Sequence, residues 1–173
     1  YAESGGQIGD SGYIKNKNLI FKVTDTQKRD QNISHIGILE NGEIKLGENV
    51  TVDIDKDRRL KIKSNHTATH ILHESLKQIL GEHVQQSGSL VTDQKLRFDL
   101  THYEKITDAQ IIEIENKINK IIRQNYNVST TIQDFDEARE NGATALFGEK
   151  YEDKVRVVDI PNFSMELWGG THV

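Results

Sequence analysis

The sequence contains no cysteine. A disulfide scaffold is therefore excluded, and the composition suits a reducing compartment, the cytoplasm. No run approaches the roughly 20 apolar residues that a membrane-crossing helix needs. No signal-peptide pattern opens the chain. No methionine precedes Tyr1-Ala2-Glu3, so the chain reads as a segment of something longer. Positive charge is short, with 22 Lys and Arg against 27 Asp and Glu for a net charge of −5. That balance argues against a general nucleic-acid coat, but not against a site that reads the end of one RNA. The shortage is local. Residues 1–62 carry ten acids and ten bases, whereas residues 63–173 carry seventeen acids and twelve bases. Internal repeats and low-complexity segments are missing too.

What remains is a composition of 35% hydrophobic and 28% charged residues over 173 positions. It predicts a soluble globular protein of one large domain or two small ones. Residues 1–62 read as β structure. Asn18 to Val23 is rich in branched and aromatic residues, as strands are. Ser34 to Leu39 leads into Asn41-Gly42, a strong short hairpin signal. Val50 to Ile54 alternates with period two. Short strands with turn residues between them predict a small glycine-rich β barrel. The charged run Asp55-Lys56-Asp57-Arg58-Arg59 reads as a solvated connector to a second unit, residues 63–173.

That second unit mixes element types. Ser64 or Asn65 can cap a helix from about His66 to Leu80, closed by Gly81. Leu90-Val91 and Leu96 to Leu100 read as a hairpin. Thr107 and Gln110 have capping-box spacing before a long helix. Ile111, Ile114, Ile118, Ile121 and Ile122 give that helix an apolar stripe. Strands are expected at Val128 to Ile132 and Val155 to Ile160, with a short helix over Asp136 to Glu140. The pattern predicts an α+β fold, with helices on one face of a mostly antiparallel sheet.

Chemistry concentrates in His66-Thr67-Ala68-Thr69-His70, answered about a hundred residues later by Gly169-Gly170-Thr171-His172. Two His four apart on a helix share a face at metal-ligand spacing, and a third can complete three corners of a tetrahedron. On a helical wheel His66, His70, His73 and Lys77 form one stripe, opposite Ala68, Ile71, Leu72, Leu76 and Ile79. The competing reading is a solvated polar face that happens to hold His. His66 is not followed by Glu, so the metalloprotease pattern does not apply. Trp168, four residues before His172, stands where a thiolate would close the site; an indole cannot ligate. His73 and Glu166 are the substitutes nearest in sequence. Two polar loops complete the candidates. Glu3 to Gly12 is rich in glycine, which permits close backbone approach; it lacks the strand and crossover helix of a dinucleotide fingerprint. Gln85-Gln86-Ser87-Gly88-Ser89 offers directional polar groups, or is an ordinary loop.

Together these elements resemble the editing region of alanyl-tRNA synthetase. The resemblance rests on Tyr1 to Asp10, Asn65 to His70, His83 to Leu90, Leu96 to Asp99, Ala145 to Tyr151 and Gly169 to Val173, six elements in order across the whole chain. It implies a core like that of free-standing alanyl-tRNA editing proteins and of the threonyl-tRNA synthetase editing domain. It implies a hydrolase that clears serine or glycine wrongly attached to alanine tRNA during protein biosynthesis. It further implies zinc, held in such proteins by His-x-x-x-His and Cys-x-x-x-His. His66, His70 and His172 match three ligands, and Trp168 departs from the fourth. Thr69 is implied beside the hydroxyl of a serine substrate, and Gln86 beside the reacting ester. Thr69 with Gly5, Gly6 and Gln7 is the expected substrate-binding set. The implied partners are the acceptor end of a mischarged alanine tRNA, and the aminoacylation domain and C-terminal region of a parent chain. No membrane is implied, and ATP binding would belong to the parent enzyme. Two rival readings remain: a metal-deficient, weakly active domain that binds the acceptor end, and a generic zinc hydrolase of small esters or amides.

Overall fold

The computed structural model describes residues 1–144, 152–167 and 169–173. The expected element Ala145 to Tyr151, and Trp168, lie outside the described residues. The fold is α+β, with antiparallel ladders throughout its three sheets. The first sheet holds β1 (Gly12–Lys15), β2 (Ile20–Arg29), β3 (Asn32–Asn41) and β4 (Thr51–Ile54), in the order β3-β2-β1-β4. Asn41-Gly42 does not turn a hairpin between paired strands. The β2–β3 turn is Asp30-Gln31, with Asp30 at φ 55°. β3 runs on to Asn41, and the chain then crosses to pair β4 with β1.

Helix α1 spans Lys56–Leu80 and begins ten residues earlier than the sequence suggests. Asp55 caps it, its side chain accepting from Arg58 N–H. The charged run is thus the first turn of the helix rather than a connector, and position 62 lies inside the helix. Its arginines are tied down. Arg58 donates to the Gly9 carbonyl at 2.8 Å, and Arg59 Nε donates to Asp10 at 2.8 Å. Asp10 also takes the Tyr1 ammonium at 2.7 Å. Burial would raise the Asp10 carboxyl, but the Arg59 bonds outweigh it and hold it below the usual range. These contacts moor the glycine loop to the start of α1.

The rest follows as β5 (Gln85–Val91), β6 (Leu96–Thr101), α2 (Asp108–Gln124), β7 (Ser129–Asp134), α3 (Phe135–Glu140), β8 (Lys154–Ile160) and β9 (Ser164–Leu167). The Thr107–Gln110 capping box forms as expected. β5 and β6 make the expected hairpin, and β7-β8-β9 make a three-stranded sheet. One core joins Leu76 of α1, Val84 and Ile114 of α2 to Phe98 and Leu100 of β6. A second lies between Ala138, Ala143, Val155, Val157 and Leu167. The α2 stripe is only half covered: Ile114 is buried, while Ile111 and Ile122 remain exposed. No helix among the described residues is long and apolar enough to cross a membrane.

Candidate metal centre

The imidazoles of α1 do not face solvent. His66, His70 and His73 are 0%, 1% and 3% exposed, which removes the reading of a solvated polar face. His66 and His70 stack with ring centroids 5.4 Å apart and planes 5° from parallel. That is what i, i+4 placement on one helix gives. His172 arrives from beyond β9 and tilts over both, at 4.5 Å from His66 and 4.8 Å from His70. One ligand atom from each of the three lies within 4.8 Å of the others.

Sequence distance hides what holds His172 in place. The Thr171 N–H donates to Gln7 Oε1 at 2.9 Å, Arg156 Nη1 donates to the Gly170 carbonyl at 2.5 Å, and the Val173 N–H donates to Thr67 Oγ1 at 3.1 Å. Gln7 itself is fully buried and its Oε1 lies 2.7 Å from His66 Nδ1. The loop that carries it is latched to β5, with Ile8 N–H on the Val91 carbonyl and Val91 N–H on the Gly6 carbonyl. Gly6 has φ 79°, and a Cβ there would collide with Ser89. Its glycine therefore serves close approach to the chain's own strand. Gly5 differs, since a Cβ there would meet nothing within 4 Å.

The two substitute ligands have another place. Glu166 on β9 is 2% exposed and reaches the Nδ1 atoms of His70 at 2.6 Å and His73 at 3.2 Å. It sits at the back of His70, and neither it nor His73 belongs to the three-residue cluster. This supporting carboxylate escaped the sequence reading, which weighed Glu166 only as a ligand. Thr69 is fully buried, and its hydroxyl donates to the Asn65 carbonyl at 2.9 Å. Gln86 Nε2 donates to Ser89 Oγ at 3.3 Å, and its buried Oε1 has no hydrogen-bond partner among the described residues. Gln86 thus meets the glycine loop through Ser89, the residue against which Gly6 packs. The open space beside Thr67 and Ala68 is a cavity of about 410 Å³ on the far side of α1, walled by Ile71, Ile121 and Tyr126.

Burial lowers His66 to about 2, helped by the neighbouring His172 and His70. It lowers His172 to about 3, with His70 adding to the effect. For Glu166, burial acts to raise the carboxyl, but the bonds from His70 and His73 win and hold it low, at about 2. His66 and His172 are therefore held neutral, and an ionised carboxylate stands behind His70, the kind of donor set a zinc ion takes. The same shifts set a pH dependence. Unfolded, the two imidazoles protonate near 6.5; folded, they refuse the proton. Stability should fall as pH drops below that value, by roughly 1.4 kcal/mol per pH unit for each ring kept neutral. Glu166 adds to the loss below about 4.5, where only the unfolded carboxyl protonates. Urea midpoints at about pH 7.5 and 5 should show a clear decline; a flat profile would contradict the burial of neutral rings.

A latched glycine loop and a buried His cluster, two rings from α1 and one from beyond β9, define the site. Residues 1–58 match the family model for class II tRNA synthetases (A). Across its full length the chain is 52% identical to an alanine–tRNA ligase of Thermoanaerobacter sp. (strain X514). Over 172 residues it is 54% identical to the alanine–tRNA ligase of Haemophilus influenzae. The chain spans about 20% of the length of these curated relatives. It belongs to the alanyl-tRNA synthetase family as a segment of that length.

Proposed function

We propose that the chain is the editing segment of an alanyl-tRNA synthetase, hydrolysing the ester of serine or glycine mischarged onto alanine tRNA in the cytoplasm. The observation that carries this reading is the buried convergence of His66, His70 and His172 in a chain so close to alanine–tRNA ligases. A synthetic site cannot exclude every amino acid near alanine by size, so a second, hydrolytic site is needed. Zinc, held by His66, His70 and His172, would supply Lewis-acid charge and fix a water.

The chain's own groups supply the rest. Thr69 spends its hydrogen on the Asn65 carbonyl, so its oxygen is left to accept from a serine hydroxyl. Alanine would leave that oxygen unpaired, and a hydrogen-bonding site of this kind can discriminate by roughly 10⁴-fold. Gln86 Oε1, buried without a partner among the described residues, is an acceptor for the water or the ribose beside the ester. Gln7 Nε2 is a buried donor in the same state, and Gly5 offers open backbone. The acceptor end of the tRNA is the partner, with the aminoacylation domain and C-terminal region contributed by a parent chain.

A second reading has one observation in its favour. Trp168 occupies the position where the resemblance places a cysteine ligand, which suits a weakly active, metal-deficient domain that still binds the acceptor end. Rates of ester loss from seryl- and alanyl-tRNA separate the two. Hydrolysis should favour the seryl ester, and Thr69→Val should lower the seryl-to-alanyl rate ratio by about 10-fold, as loss of roughly 1.4 kcal/mol implies. An unchanged ratio removes Thr69 from recognition. Binding without ester loss from either tRNA favours the second reading.

A further inference from the structure

Three imidazoles can share a metal only if each turns a lone pair inward, and a neutral ring carries one lone pair on one of two nitrogens. The network around the cluster decides which. The Thr171 backbone N–H can only donate, and it meets Gln7 Oε1 at 2.9 Å. The Gln7 amide is therefore oriented with its oxygen at this point, because a flipped amide would set N–H against N–H. That same oxygen lies 2.7 Å from His66 Nδ1, so Nδ1 must carry the hydrogen and the lone pair sits on Nε2. Glu166 does the same for His70, its carboxylate oxygen accepting at Nδ1 through a 2.6 Å contact. For His172 the rule reverses. Its Nε2 lies 3.2 Å from the Gly169 carbonyl, so Nε2 donates and Nδ1 carries the lone pair. That Nδ1 is buried, with no hydrogen-bond partner among the described residues.

We infer that Gln7 is a positioning residue for the metal centre: its side-chain oxygen fixes the His66 tautomer and ties it to the Thr171 backbone, making metal capture depend on the glycine loop. This rests on the metal reading above and deepens it. The loop is fifty-nine positions from His66 and 164 from Thr171 in sequence, yet one oxygen clamps both. Partners of this kind typically alter metal affinity by 10–100-fold.

The test uses the 173-residue chain, its Gln7→Met variant and its Gln7→Glu variant. Met keeps the bulk and removes the acceptor; Glu keeps the acceptor. Imidazole ¹⁵N shifts of the metal-free native chain should show hydrogen on Nδ1 of His66 and His70 and on Nε2 of His172. Zinc affinity, from competition with a chromophoric chelator, should fall 10–100-fold in Gln7→Met and recover to within a few-fold of native in Gln7→Glu. A native His66 with its hydrogen on Nε2 overturns the inference. So does a Gln7→Met chain that binds zinc as tightly as native, or a Gln7→Glu chain no better than Gln7→Met. A native chain that shows the three assigned tautomers and takes up no zinc supports the tautomer assignment while sinking the metal reading.

Discussion

Gly170→Ala should dismantle the His centre, whereas Gly169→Ala, one residue away, should leave it nearly intact. Gly170 has φ 91°, a conformation an L side chain adopts only under strain. A Cβ built there would run into the His66 ring at Cε1 and Nδ1 and stand 3.0 Å from Gln7 Oε1. None of these atoms can yield freely. His66 is on a helix and fully buried, and Gln7 is latched through its backbone to β5. Overpacking costs about 1–3 kcal/mol, and the positive φ adds about 1–2 kcal/mol. Relief by moving the segment would carry His172 away from His66 and His70. We expect a urea midpoint well below native, together with at least a 10-fold loss of zinc affinity and of ester hydrolysis. At Gly169 a Cβ would meet nothing within 4 Å, and the carbonyl that accepts from His172 is retained. Equal behaviour of the two variants would mean that Gly170 does not pack against His66.

Trp168→Cys is the second large expected effect, and here the sign is a gain. Among the described residues Glu166 is the carboxylate beside the cluster, and it is spent on the back of His70 and on His73. A thiolate at position 168 would add an anionic ligand to a set of three imidazoles. Zinc affinity should rise by on the order of 100-fold, about 2.8 kcal/mol, and seryl ester hydrolysis should rise with it. Metal analysis of both chains after purification, beside the deacylation assay, reads the outcome. A Cys variant that gains neither zinc nor activity shows that position 168 is not a ligand position.

Local rules carried the sequence reading, and long-range pairing limited it. The capping box before α2 and the His66–His70 pair were legible because each depends on residues three or four apart. The α+β class followed from element periods. Asn41-Gly42 misled because its turn propensity is real, while the ten-residue β2–β3 ladder places the turn at Asp30-Gln31. The run Asp55 to Arg59 looked solvated because its partners, Gly9 and Asp10, are far back in the chain. The two groups that orient the imidazoles were illegible for the same reason. Gln7 reaches His66 across fifty-nine positions, and Glu166 reaches His70 across ninety-six. Glycine in the N-terminal loop signalled close approach correctly, but at Gly6 the approached group is Ser89 of the same chain.

The most direct measurement of the central proposal is single-turnover ester loss from seryl- and alanyl-tRNA(Ala), with the zinc-loaded chain beside its His172→Ala variant. His172 lies at the edge of the fold, after β9, so its truncation removes a ring from the cluster with little cost to either core. The native chain should release serine faster than alanine, and His172→Ala should slow seryl release by on the order of 100-fold, about 2.8 kcal/mol. Equal seryl release by the two chains, or equal release of serine and alanine by the native one, would contradict a hydrolytic editing centre at His66, His70 and His172.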